Sequence, residues 1–392
     1  LWLIPGACVA AAIALSLALE QVDRQLSAER SSWFLFGGGP DGARELFSAV
    51  ATSMLSFAGL VFSITVLVLQ LASNQFSPRS LRTFLGDQRS KLAMGIFAGT
   101  YVYALLGLRL VRGATEAHEP FVPALSAWLT VPLALASVAG FIAYLQHIAQ
   151  SIRAVVVIGR IADETRAAIE KLYPEQVGDE AGAAPGVLES LAAPVTQHRA
   201  KHFGRVVAVD EDQLMELAAR SGLSIRFLFE VGDFVPQGAP VFEVWGAAAT
   251  LDTDELLDCL TLGRERTLLQ DARFGFRQLV DVAGRALSPS TNDPSTAVEV
   301  LDQLHELLRR LAARRFPDPV RGVEAGVVLV LPRPSWSDYL GLALDEVQHW
   351  GRDSLQLRAA LDDLLQVAPP SGRAAVRRQL QRLGPVDDER GP

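Results

Sequence analysis

The sequence predicts a membrane protein in two parts: a multi-pass α-helical domain of four transmembrane helices, then an α+β domain. That second part combines a small β unit with a helical C-terminal portion. Three observations carry this expectation. Residues 48–71 include no charged side chain, enough to cross ~30 Å of hydrocarbon at a helical rise of ~1.5 Å per residue. Three more apolar runs occupy residues 1–150 and none follows. The mean hydropathy of +0.23 and the hydrophobic content of 49% therefore average two unlike halves. Finally, Lys and Arg gather in alternate connecting segments, as in multi-pass helical proteins.

The expected spans are 3–19, 47–71, 92–110 and 122–148. The first begins at Leu1 without an initiator Met, so the natural start is expected upstream; no clean cleavage site marks it as a signal peptide. Arg24 and Arg30 in the first link are balanced by Asp23 and Glu29. The second link holds Arg79, Arg82, Arg89 and Lys91, and Arg153, Arg160, Arg166 and Lys171 follow the fourth span. The basic sides place both termini in the cytoplasm. No acidic or basic side chain sits in the middle of a span, which argues against proton-coupled pumps.

The second span carries a polar row. Ser48, Thr52, Ser56, Gly59, Ser63 and Gln70 recur at helical spacing, and Asn74 continues them. At ~100° per residue they fall within an arc of roughly 80°. A helix in lipid gains nothing by turning such a row outward. Two readings fit: a seam of close helix packing, or the lining of a wet path.

Residues 151–194 read as an amphipathic stalk, continuing the fourth helix, and a linker rich in Gly, Ala, Pro and acid. Residues 195–383 form the cytoplasmic domain, and 384–392 a charged, disordered tail. Strands are expected over 205–209, 223–230 and 326–331, with a helix between the first two capped by Asp210. Residues 232–241 carry turn residues like the hairpins of biotinyl and lipoyl carrier domains, without the Lys that takes a cofactor. A helix over 264–287 displays Arg266, Gln270, Arg273, Arg277, Asp281 and Arg285 along one face. Asp293 and Pro294 then start a helix reaching 316.

Together, Gly204–Asp210, the Gly-Asp-Phe-Val turn at 232–235, Arg266-Thr267 with Gln270-Asp271, and 285–289 running on to Asn292-Asp293-Pro294 and Thr296-Ala297 resemble a known family. So does the membrane segment 56–85 with its Gln-Phe-Ser-Pro-Arg at 75–79. In that order they resemble the bacterial predicted membrane proteins grouped as domain of unknown function 2254. The resemblance implies a multi-pass inner-membrane protein with a cytoplasmic domain, and it carries no activity.

The motif Arg266, Gln270, Asp271, Arg273, Arg277, Asp281, Arg285, Asn292 and Asp293 reads in two ways. Its arginines, beside a helix N-terminus, suit an anionic ligand; equally, its aspartates partner them in a structural network, which is the reading preferred here. His198 and His202, four apart, would share a metal on a helix, but no third ligand is in sight, so solvated histidines are expected and no metal site is assigned. Phosphate-binding, nucleophile-elbow and zinc-protease motifs are missing, so no enzyme and no cofactor are expected. Cys8 and Cys259 lie in different parts of the chain, so no intrachain disulfide is expected. A net charge of −8 argues against nucleic acid. The expected partners are the lipid bilayer and further copies of the chain; a small ligand of the cytoplasmic domain is not identified. Two functions remain: an oligomeric channel-like conduit for ions or small solutes with a cytoplasmic gating or vestibule domain, or a membrane-anchored cytoplasmic sensor or scaffold without transport. The uncharged spans and the stripe favour the conduit.

Overall fold

A computed structural model describes residues 3–28, 38–75, 88–113, 121–151, 153–173, 196–246, 251–322, 328–350, 355–370 and 372–383. The chain divides into two compact units, Leu1–Arg153 and Ala154–Pro392.

The first unit consists of α1 (Leu3–Ala28), α2 (Pro40–Gln75), α3 (Gln88–Leu110) and α4 (Ala124–Ser151). All four are long and apolar enough to cross a membrane. With 36 residues, α2 extends ~54 Å, well beyond a hydrocarbon core. The central helix is α3, which packs on α1, α2 and α4. Small residues make this possible: a Cβ on Gly99 would lie 3.1 Å from the Cys8 carbonyl oxygen of α1. Phe57, Phe97 and Phe141 fill the centre, with the rings of Phe57 and Phe141 stacked at 4.8 Å. Near the end of α1 the buried Asp23 accepts from the Leu125 and Ser126 N–H groups (2.8 and 3.1 Å) and from the Ser126 hydroxyl (2.6 Å). One helix thus supplies the anionic N-terminal cap of another.

The second unit starts with α5 (Ala154–Leu172). The unit continues with β1 (Thr196–Arg199), β2 (Gly204–Val209), α6 (Glu211–Ser221), β3 (Ser224–Phe227), β4 (Phe234–Val235), β5 (Pro240–Trp245), α7 (Thr253–Asp258) and β6 (Leu260–Gly263). It is completed by α8 (Ala272–Ala286), α9 (Pro294–Ala312), β7 (Val320–Gly322), β8 (Val328–Val330), α10 (Trp336–Trp350), α11 (Leu355–Val367) and α12 (Arg373–Arg382). The apolar stripe of α5 finds protein partners: Val157, Ile158, Ile161 and Ile169 are buried, and the helix packs on α8 and α9. Gly275 makes the α5–α8 approach possible, since a Cβ there would overlap Thr165. The linker expected at 174–194 and the tail at 384–392 lie outside the described residues.

The strands form a five-stranded sheet, β1-β5-β3-β8-β7, and a three-stranded sheet, β4-β2-β6. Among the described residues only the β3–β8 pair is parallel. Ile225, Phe227, Val241, Phe242, Leu214 and Leu329 belong to the core they share with α6. Asp210 caps α6, accepting from the Gln213 N–H at 3.0 Å, as its position before a helical pattern predicts. The helix expected over 264–287 is shorter. It begins at Ala272, because Asp271 turns its carboxylate onto the Phe274 N–H (3.2 Å) and ends the preceding loop.

Candidate functional site

The stripe and the packed side of α2 are different faces. Ala43, Phe47, Val50, Met54, Val61 and Val68 are buried, and the helix packs on α3 and α4. Ser48, Thr52, Ser56, Gly59, Ser63 and Gln70 are all exposed. At ~100° per residue the two sets are centred about 180° apart. A Cβ on Gly59 would meet no atom within 4 Å. Among the described residues of one chain nothing covers the stripe, and Leu55, Leu60, Phe62 and Leu67 are exposed beside it. Two of its hydroxyls bond locally: Ser56 donates to the Thr52 carbonyl (3.0 Å) and Ser63 to the Gly59 carbonyl (2.9 Å). The Asn74 side chain lies outside the described residues.

In the second unit the motif residues separate into three groups. The first closes the loop before α8. Arg266 Nε donates to Asp271 Oδ2 at 2.8 Å, while the Arg266 guanidinium lies 5.5 Å from the Phe274 ring centroid. Gln270 clamps β2 at both ends of one residue: its Oε1 accepts from the Val209 N–H (2.9 Å) and its Nε2 donates to the Val209 carbonyl (3.1 Å). Gly232, at φ +99°, packs directly on the ion pair; a Cβ would fall 2.5 Å from Asp271 Oδ2. The Gly-Asp-Phe-Val turn and the Arg-Thr/Gln-Asp motif are therefore one construction. Burial pushes the Asp271 carboxyl up, and Arg266 opposes it.

The second group is an ion-pair ladder on α8. Arg273 meets Glu230 at 2.6 Å, and Arg277 meets Asp281 (2.8 Å) as well as Glu346 of α10. The third is the α8–α9 turn. Asp293 caps α9, accepting from the Thr296 N–H (3.1 Å) and hydroxyl (2.6 Å); these bonds hold its carboxyl below the usual range. Asn292 takes φ 44°, left-handed, to make that turn. Arg285 is exposed on the last turn of α8.

Three motif residues, Gln270, Asp271 and Arg273, share the wall of a pocket of about 50 Å³ with Tyr173, Arg333 and Tyr339. The two phenol oxygens are 2.9 Å apart. Burial raises both phenols, Tyr339 well above its ordinary value. Sequence reasoning did not reach Tyr173, Tyr339 or Arg333. The local signal available was the stiff Pro332-Arg333-Pro334 frame. His198 and His202 are not brought onto a helix: His198 lies in β1, 6% exposed, with Nδ1 3.0 Å from the Thr253 hydroxyl. The solvated role expected of His198 is thereby corrected, because strand pairing with β5 turns it inward. No group of three metal-binding side chains occurs among the described residues.

A family model described as predicted membrane protein, DUF2254, matches residues 1–366. An uncharacterized protein of Mycobacterium tuberculosis and one of Mycobacterium bovis are each 38% identical over 359 residues, covering 88% of this chain and 68% of theirs. No solved structure matches the chain.

Proposed function

This chain belongs to the DUF2254 family of predicted membrane proteins, and we propose that it forms an oligomeric conduit for ions or small solutes in the bacterial inner membrane. The observation that carries the reading is the outward stripe of α2, exposed in one copy while the opposite face is packed. Several copies around an axis bring these faces onto one water-filled path. Gln70 favours water there, because a carboxamide has four hydrogen-bonding positions to satisfy. In this reading both termini are cytoplasmic and the second unit forms a vestibule or gate. The proposal includes no catalytic step and no cofactor.

Liposomes loaded with an ion-sensitive dye test it. Wild-type protein should leak above empty liposomes under voltage, stretch or a pH step. Gly59→Leu should close most of that flux by filling the stripe, and Ser63→Asp should shift ion preference by adding charge to the lining. Leak no greater than from empty liposomes refutes the conduit, and leak indifferent to both substitutions removes α2 from its lining. A second reading, a membrane-anchored sensor, is favoured by one observation: the second unit holds a pocket at Tyr173 and Tyr339, which conduction alone does not require.

A further inference from the structure

The pocket at the tyrosine pair continues outward past Arg333. Pro317, Arg333 and Pro334 line both it and an open groove of about 400 Å³, whose wall also carries Arg315, Asp318 and Ser335. Around this passage the donors outnumber the acceptors. Arg333 and Arg321 both turn onto one carboxylate, that of Glu211. Their Nε atoms are buried with no hydrogen-bond partner among the described residues. Arg273 has Glu230. Arg315 is exposed and has no partner among the described residues. On the acid side, Asp318 has one oxygen on the Val320 N–H at 2.9 Å.

We infer that this pocket and groove bind a small oxyanion, a phosphate or carboxylate group, anchored by Arg333 and Arg315 with the Tyr173 and Tyr339 hydroxyls at the deep end. A water satisfies one N–H but leaves the charge: Arg266, Arg273, Arg315, Arg321 and Arg333 stand against four carboxylates, Asp271, Glu211, Glu230 and Asp318. A group with several anionic oxygens meets both needs, because guanidinium forks match carboxylate and phosphate edges. Size sets a limit. The enclosed end admits a small polar group, and anything larger must extend into the groove. The frame is stiff before a ligand arrives, since Pro317, Pro319, Pro332 and Pro334 fix their backbone. Of the arginines that the sequence offers for an anion, only Arg273 lies on this wall; Arg266 and Arg277 face their own carboxylates. The inference does not depend on conduction through α2.

Full-length protein in detergent is melted in sodium phosphate, sodium acetate and sodium chloride at matched ionic strength. A saturable rise in Tm with phosphate or acetate beyond that with chloride is expected, and the anion that produces it identifies the group. Arg315→Gln, an exposed substitution, should raise the half-saturating concentration about tenfold, the effect of one lost charge-assisted contact. Arg377→Gln, exposed on α12, should leave it unchanged. Nanodiscs containing phosphatidic acid, compared with phosphatidylcholine alone, separate a lipid headgroup from a free solute. A rise equal to that in chloride is general screening and overturns the site. An Arg315→Gln response identical to wild type overturns it as well.

Discussion

Burial of a single imidazole makes the stability of the second unit depend on pH. His198 is 6% exposed, and desolvation lowers its pKa. An unfolded chain takes up that proton near pH ~6.5, whereas the fold resists it. The contribution is therefore complete above ~6.5 and is lost as pH falls toward the folded value. Urea unfolding of the full chain should show a lower midpoint at about pH 5.5 than at about pH 7.5. His198→Gln should shrink that difference; an unchanged difference would acquit the histidine. Its role was not legible in the sequence, because i,i+4 spacing says nothing about a strand that pairs His198 with Phe242. Gln270 is a similar case. Its helical spacing from Arg266 and Arg273 is real, yet its amide is committed to Val209, 61 residues away in sequence.

Helix ends were the most legible elements. Asp210 and Asp293 cap α6 and α9, and Pro294 stands in the first turn of α9, since each of these signals acts within four residues. The start of α8 was misplaced by eight residues, 264 against 272, because Asp271 acts as a cap only once Arg266 and Gly232 bury it. Capping also reassigns the stability of the α8–α9 turn. Asp293→Ala should cost about 1 kcal/mol in thermal unfolding, a typical N-cap loss. Arg285→Ala, at an exposed position, should change it by less than about 0.5 kcal/mol. The reverse order would restore Arg285 as the residue holding the turn.

At the scale of the whole molecule the fold class was plain from hydropathy, since four long apolar helices leave few alternatives. Which way α2 would turn its stripe was not, because that depends on which side α3 and α4 cover. Topology is directly testable. In a cysteine-free background, single cysteines at 37–40 should react with an impermeant thiol reagent on intact cells, while those at 77–88 should not. Reaction at the second set would overturn the proposed orientation, in which the second unit is cytoplasmic. The stripe also has a polarity of its own. Ser56 and Ser63 each direct the hydroxyl proton inward to a backbone carbonyl, which leaves oxygen lone pairs pointing out. Water meeting that face must present its hydrogens. In the proposed conduit a cation would find oxygens already oriented, whereas an anion would find the same electron pairs opposed to it.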